Sequence, residues 1–194
     1  MSDLFSQLTQ ALGGQSTTDE LSKSVGGQPL NVQNALAAAL PLLLSGLARN
    51  ASEPGGASEL LGALQRHDGS VLDDPKAQLA SPATADGEKI VGHVFGDRAP
   101  QAKAAVARAG AIDPAMAGKI LAIAAPFVLA ALAKRKREQN LDANGLAQVL
   151  GGEQQALSAA QPGLMGIAGR LLDRNGDGNV ADDVAGMIGK LFRR

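Results

Sequence analysis

The side chains best suited to chemistry in this chain lie near its end, where carboxylate and amide oxygens recur at every second residue. Calcium takes several oxygen ligands in loose geometry. Asp173, Asn175 and Asp177 match the first, third and fifth positions of an EF-hand-type loop. Gly178 follows where such a loop turns sharply, a position at which glycine meets no steric penalty. We therefore predict one Ca²⁺ site in this loop.

The closing ligand of the loop is less regular. An EF-hand has a bidentate glutamate at its twelfth position, where this chain has Val184. Asn179 offers its backbone carbonyl, and Asp183 closes the site if the loop is one residue shorter. Asp182 and Asp183 also stand where a helix begins, so that either one caps it instead. The alternative for the whole segment is a surface turn, which Asp, Asn and Gly favour. We favour the metal interpretation.

An amphipathic helix is predicted on each side of the loop. The apolar residues recur at the i, i+3, i+4, i+7 spacing of a single helix face. They are Leu164, Ile167, Ala168 and Leu171 before the loop, and Val184, Met187, Ile188 and Leu191 after it. Ion binding would therefore fix the angle between two helices.

The composition of the 194-residue chain predicts an all-α protein. Hydrophobic residues make up 45% of the chain but aromatic residues only 2%, so the core must consist of Ala, Leu, Val and Ile. No strand-like alternation occurs. The net charge of −1 gives no general attraction to nucleic acid or anionic membrane. Cysteine is absent, which fits a cytoplasmic protein and is compatible with a disulfide-free periplasmic one.

Two apolar runs need to be compared with membrane spans. The runs 35–44 and 120–133 are each shorter than the ~20 residues of a spanning helix. Pro41 and Pro126 lie near their middles. We interpret both runs as buried central helices of a bundle and predict no membrane span.

The sequence contains an internal repeat with an offset of about 85 residues. Pro41–Ala48 aligns with Pro126–Ala133, and the same register places Pro29 on Pro114. A further echo relates residues 68–74 to residues 177–183, although the first corner lacks the upstream metal ligands. We therefore predict two related helical modules, residues 1–80 and residues 81–194, the second carrying the metal loop and its helix pair.

The apolar periodicity predicts helices over about residues 3–12, 17–25, 30–49, 57–66, 87–95, 99–109, 114–138, 143–150, 163–172 and 182–192. Thr17 with Glu20 has the spacing of a capping box. The stretch from Leu72 to Ala85, which holds two prolines, is predicted to be a linker. Gly151–Gly163 is predicted to be a second boundary.

Five segments carry a resemblance to a known family: Glu20–Gly26, Val32–Leu36, Leu40–Leu43, Leu64–Asp74 and Ile90–Asp97, the last of which contains Gly-His-Val-Phe-Gly. Together they resemble the YidB-like family of bacterial proteins of unknown function. The resemblance implies an all-helical fold with a homeodomain-like helical motif. It implies no established activity and no catalytic residues.

The homeodomain-like motif raises DNA binding as an alternative. A recognition helix needs polar and basic side chains, because phosphate contacts supply much of the affinity. The helix from Leu30 to Ala48 offers Asn31, Gln33 and Asn34 but no Lys or Arg. The basic run 134–137 is better interpreted as a solvated helix end that complements the helix dipole. Nucleic acid is therefore not the expected partner.

An enzyme is not expected either. The histidines are His67 and His93, and neither has a nucleophile or a metal-ligand spacing around it. Gly13-Gly14 and Gly151-Gly152 are not followed by the Gly-Lys-Ser/Thr element of a phosphate loop. The sequence thus predicts a non-enzymatic binding or scaffold protein whose partner is another protein or a second copy of itself.

Overall fold

The computed structural model describes residues 3–67 and 69–160, which form nine α-helices and contain no β-strand. The helices are α1 (Asp3–Leu12), α2 (Gln15–Val25), α3 (Pro29–Ser52), α4 (Gly56–Leu64), α5 (Pro75–Ala80), α6 (Thr84–Phe95), α7 (Ala99–Gly110), α8 (Pro114–Glu138) and α9 (Ala143–Ala160). Short 3₁₀ helices cover Ser70–Leu72 and Gly96–Arg98. The all-α prediction is confirmed. The helices predicted over 163–172 and 182–192 lie outside the described residues.

The predicted linker after Leu72 is wrong in part, because α5 forms inside it. Pro75 opens this helix, and the Asp74 carboxylate accepts a hydrogen bond of 3.0 Å from the Ala77 N–H. Leu79 is fully buried, and α5 packs against α2. A single leucine shows no helical period, so the Asp74-Pro75 start is the local signal and the burial of Leu79 against α2 supplies what the sequence pattern did not predict.

The boundary predicted at Gly151 is also wrong, because α9 continues to Ala160. Glycine inside a helix costs about 1 kcal/mol relative to alanine, and burial beyond the glycines offsets this cost. Leu157 is buried, and so is Glu153. The Glu153 Oε1 accepts a 3.2 Å hydrogen bond from the Leu4 N–H in the first turn of α1, where a backbone N–H has no partner within its own helix.

The capping box predicted from Thr17 and Glu20 does not form. The helix α2 begins at Gln15, and its N-cap is Gly14, which makes no side-chain cap bond. The Thr17 hydroxyl instead donates to backbone oxygens, at 2.8 Å to Gly14 and at 3.1 Å to Leu12. Thr17 therefore lies inside the first turn of the helix.

The two longest helices, α3 and α8, form the centre of the molecule. Each begins at a proline, and each contains a second proline, Pro41 or Pro126, at the same distance along the helix. By length and composition alone both could cross a membrane, and 72% of the most apolar window of each is buried inside the molecule. Core helices of a bundle pass the same test. Most of the buried hydrophobic residues among those described form one cluster, which includes residues of both helices.

Glycines let the helices of this alanine-rich core approach closely. A Cβ atom on Gly87 of α6 would overlap the backbone carbonyl of Ala122 in α8. A Cβ atom on Gly110 of α7 would lie 2.8 Å from the backbone carbonyl oxygen of Asn31 in α3. With only 2% aromatic residues, the core fills its volume by bringing backbones together, because small side chains leave voids at ordinary helix spacing.

Candidate functional site

The predicted calcium ligands lie outside the described residues. They are Asp173, Asn175, Asp177, Asn179, Asp182 and Asp183. Their arrangement therefore stays a prediction. Within residues 3–67 and 69–160, no group of three or more His, Cys, Asp or Glu side chains lies close enough together to hold one metal ion.

The first corner, which echoes the calcium loop in sequence, is described from Gly69 onward. Gly69 has a left-handed backbone with φ of 87°, and the 3₁₀ helix follows it directly. The Asp74 carboxylate caps α5, while Asp73 is exposed. Asp74, which corresponds to Asp183 in the sequence echo, thus serves as the N-cap of a helix.

A cavity of about 390 Å³ lies between this corner and the end of α8. It is lined by Gly69, Leu72, Asp73, Lys134, Arg137 and Glu138. A Cβ atom on Gly69 would lie 3.0 Å from Nη2 of Arg137, so the guanidinium lies beside the corner. The lining mixes two cations with two carboxylates. The basic run therefore does not present a purely positive surface here.

The segment that carries the family resemblance, Ile90–Asp97, packs against α3. Val94 and Phe95 are buried, and a Cβ atom on Gly46 of α3 would overlap Val94. The Asn50 side-chain amide donates to the carbonyls of His93 at 3.1 Å and of Val94 at 3.3 Å. These carbonyls belong to the last turn of α6, which has no intrahelical partners for them. Packing and end-capping thus explain most of this motif.

The histidines are not gathered into a site. The His93 side chain is exposed on α6, and His67 is half-buried beside the first corner. The sequence reasoning missed Asn50, Glu153 and Asp74 as capping residues. Only Asp74, which precedes Pro75, carries a local signal for capping.

The two helix pairs α2–α3 and α7–α8 make similar turns. The Gly27 N–H donates to the Ser22 carbonyl at 3.0 Å, and the Ile112 N–H donates to the Ala107 carbonyl at 3.0 Å. In each turn the preceding residue is left-handed, with φ of 81° at Gly26 and 50° at Ala111. Both are helix ends of the Schellman type.

The polar residues of the proposed recognition helix differ in exposure. Gln33 and Asn34 are exposed on α3, whereas Asn31 is half-buried. The Asn31 amide lies 3.5 Å from the Ala111 carbonyl, to which it donates. On α8, Lys119 is exposed. Asn31 therefore joins the two helix pairs, and its amide is not free to read a base.

Comparison with known proteins identifies a family. The model of DUF937, described as a bacterial protein of unknown function, matches residues 6–135. No curated protein matches the chain. No solved structure matches it either.

Proposed function

Since the chain belongs to the DUF937 family of bacterial proteins of unknown function, we propose that it is a non-enzymatic binding or scaffold protein with one calcium-binding loop. The spacing of Asp173, Asn175 and Asp177 before Gly178 carries the proposal. The bound ion braces the two C-terminal helices. Within the family we place the chain among the YidB-like proteins, on the Ile90–Asp97 segment.

The scaffold role is supported by what three polar side chains do in the described part. The Asn50 amide caps the C-terminal end of α6, and the Glu153 carboxylate accepts a hydrogen bond from the first turn of α1. The Asp74 carboxylate caps the start of α5. These polar groups hold helices in place, as a rigid binding surface requires. The partner we propose is another protein or a second copy of the chain, in the bacterial cytoplasm.

We also propose that the body consists of two related modules, with a homeodomain-like helix pair in each. The matching turns at Gly26 and Ala111 and the matching prolines of α3 and α8 support this arrangement. The proposed calcium loop then has a partial counterpart in the first corner. That corner supplies a control for the loop within the same chain.

The calcium proposal predicts that a chelator lowers the melting temperature. A ligand that binds only the folded state adds roughly 2.7 kcal/mol at a hundredfold excess over Kd. For a chain of this size this corresponds to roughly 5 to 10 °C. The measurement is thermal unfolding, followed by circular dichroism at helix wavelengths, in Ca²⁺ and in EDTA.

Two variants make the test specific. Asp173→Ala should melt at the same temperature with and without EDTA, because it removes the first ligand. Asp73→Ala, in the exposed position of the first corner, should keep the full calcium response. The calcium proposal fails if EDTA leaves the melting of the wild-type chain unchanged, or if Asp173→Ala responds as Asp73→Ala does.

DNA binding is the alternative, and the exposed Gln33 and Asn34 are the observation that favours it. Duplex binding measured by fluorescence anisotropy should be weak and should disappear as salt rises, since only phosphate contacts would support it. Sequence-specific binding at near-physiological salt, lost in a Gln33→Ala/Asn34→Ala double variant, would instead establish the alternative.

A further inference from the structure

Positive charge is concentrated in the α7–α8 helix pair. Residues 98–137 contain eight of the 18 Lys and Arg residues of the chain but a single acidic residue, Asp113, whose carboxylate accepts a hydrogen bond from the Met116 N–H at the start of α8. The whole chain has a net charge of −1, so its other segments are acidic on balance. A local excess of this kind attracts partners of opposite charge whatever the net charge of the protein.

Two lysines of this helix pair lie close together near the start of α8. The side chain of Lys103, from α7, lies across Gly118 of α8. A Cβ atom on Gly118 would lie 3.3 Å from Cδ, 3.2 Å from Cε and 3.6 Å from Nζ of Lys103. Lys119 is the next residue of α8 and is exposed, whereas Lys103 is half-buried. The glycine thus leaves space for a lysine from the neighbouring helix, and two cations occupy adjacent positions along α8.

These cations have no anionic partner in the molecule. Neither Lys103 nor Lys119 forms an ion pair or a hydrogen bond within the part of the chain that the structure describes. Arg108, which is exposed further along α7, forms none there either. Like charges that are brought together repel one another. An anion from outside the molecule would relieve this repulsion.

The α2–α3 pair has a different charge pattern at the same positions. In the register that aligns the two opening prolines, it has acidic or neutral residues where the α7–α8 pair has neutral or basic ones. The corresponding residues are Asp19 and Ala104, Glu20 and Ala105, Thr18 and Lys103, and Asn34 and Lys119. Lys23, which corresponds to Arg108, forms a 3.4 Å ion pair with Glu20. The cation of α2 is therefore neutralised within the molecule, whereas those of the second pair are not.

We propose that Lys103 and Lys119 bind an acidic segment of a partner protein, with Arg108 extending the positive surface along α7. The inference rests on the proposed binding role and names the chemistry of the partner, which is a run of carboxylates. Nucleic acid fits less well, because proteins that bind duplexes commonly contact about six to ten phosphates. The start of α3, which Asn31 joins to the α7–α8 turn, adds no Lys or Arg to the surface.

The probe for this site is a short fluorescein-labelled poly-glutamate peptide, titrated with the full chain and followed by fluorescence anisotropy. Lys103→Gln/Lys119→Gln should raise the Kd about tenfold, because it removes both ammonium groups. The matched control is Lys134→Gln/Lys136→Gln, which removes the same charge from the other end of α8. There Asp73 and Glu138 line one cavity with Lys134, so the Kd should change less than about twofold.

Four results would overturn the proposal. Equal losses in the two double variants would show that the peptide follows net charge alone, and a wild-type chain that does not bind the peptide would refute the site outright. A DNA duplex and phosphatidylserine vesicles are titrated in parallel. Tighter binding of either one, lost in Lys103→Gln/Lys119→Gln, would assign the lysines to nucleic acid or to a membrane.

The titrations are run both in Ca²⁺ and in EDTA, which separates this site from the calcium loop. If the peptide does not bind while EDTA still lowers the melting temperature, the lysine site is wrong and the calcium proposal stands. Peptide binding by a chain whose melting ignores EDTA would support the lysine site alone.

A variant that keeps every charge tests the placement of Lys103. The new side chain in Gly118→Leu would occupy the space through which Lys103 reaches across α8, so the Kd should rise about threefold. Gly92→Leu is the control, because no atom lies within 4 Å of a Cβ on this glycine of α6, and its Kd should equal that of the wild type. An unchanged Kd in Gly118→Leu would contradict the proposal.

Discussion

The turn between α2 and α3 and the turn between α7 and α8 share a hydrogen-bond pattern but place glycine differently. The first turn reads Val25-Gly26-Gly27, with glycine at the left-handed residue. The second reads Gly110-Ala111-Ile112, with alanine at the left-handed residue and glycine immediately before it. An L-residue in the left-handed region is strained by roughly 1 to 2 kcal/mol.

The crossing of α3 over α7 explains this difference. A Cβ atom on Gly110 would lie 2.6 Å from the Cβ of Ala35 and 2.8 Å from the Asn31 oxygen. Val25, at the same place in α2, is 6% exposed and contributes its side chain to the core. Glycine is therefore required at Gly110, where the helix backbones meet, more strictly than at the left-handed position, which Ala111 occupies in the second turn. The strain at Ala111 is tolerated, whereas overlap with α3 would not be.

The largest effect is expected from Gly110→Val. This change gives the second turn a valine at the position where the first turn has Val25. The added side chain overlaps α3, so the free energy of unfolding should fall by about 3 kcal/mol. Urea denaturation measures the loss. Gly62→Val is the control, because no atom lies within 4 Å of a Cβ on Gly62. Equal losses in both variants would show that glycine at Gly110 serves only the local helix end.

A smaller effect of opposite sign is expected at Thr18, seven residues before Val25. The Thr18 hydroxyl is buried and is a side-chain group without a hydrogen-bond partner in the described part of the chain. Its counterpart before Gly110 is Lys103, which is partly exposed. Thr18→Val should raise the free energy of unfolding by about 1 kcal/mol, since it removes a buried unpaired polar group.

The neighbouring threonine is the matched control for that change. Thr17 donates hydrogen bonds to the Gly14 and Leu12 carbonyls, so Thr17→Val should lower stability by about 1 kcal/mol. Both variants remove one hydroxyl from α2, and thermal unfolding distinguishes them. A destabilised Thr18→Val would mean that the Thr18 hydroxyl is satisfied in solution, for example by a buried water.

The smallest effects are expected from exchanging the left-handed residues. Ala111→Gly should stabilise the protein by about 0.5 kcal/mol, and Gly26→Ala should destabilise it by about 0.5 to 1 kcal/mol. Neither position is the site of the α3 crossing, so the two changes report backbone conformation alone. Melting curves in one buffer suffice. If the melting temperature shifted in the same direction in both variants, the two turns would not be equivalent in backbone conformation.

The long elements were predictable because their information is local. The repeated apolar spacing and the opening prolines predicted α3 and α8 within a few residues. The same spacing could not reveal α5, where only Leu79 is buried. The same spacing placed the end of α9 too early, because the adjacent glycines at 151 and 152 are typical of a turn. The burial of Leu157 in the core explains why the helix continues past them.

The candidate site was predictable only as a pattern of ligands. The oxygen spacing of residues 173–183 predicts a calcium loop, and both the loop and its closure stay predictions. In the described part, Asn50 and Glu153 cap helices that lie far from them in the sequence. No local rule connects an amide in α3 with the end of α6. Such partners are set by helix packing and are invisible to reasoning about single segments.

By itself, the sequence of this protein determined that the chain is helical, where the long helices begin, and which segment has the oxygen spacing of a calcium loop. These properties depend on residues within a few turns of one another. Only the tertiary structure decided which glycines stand against a backbone, which polar side chains close distant helix ends, and that α5 exists. Each of these depends on the packing of segments far apart in the chain, and the burial that stabilises them arises only when those segments meet.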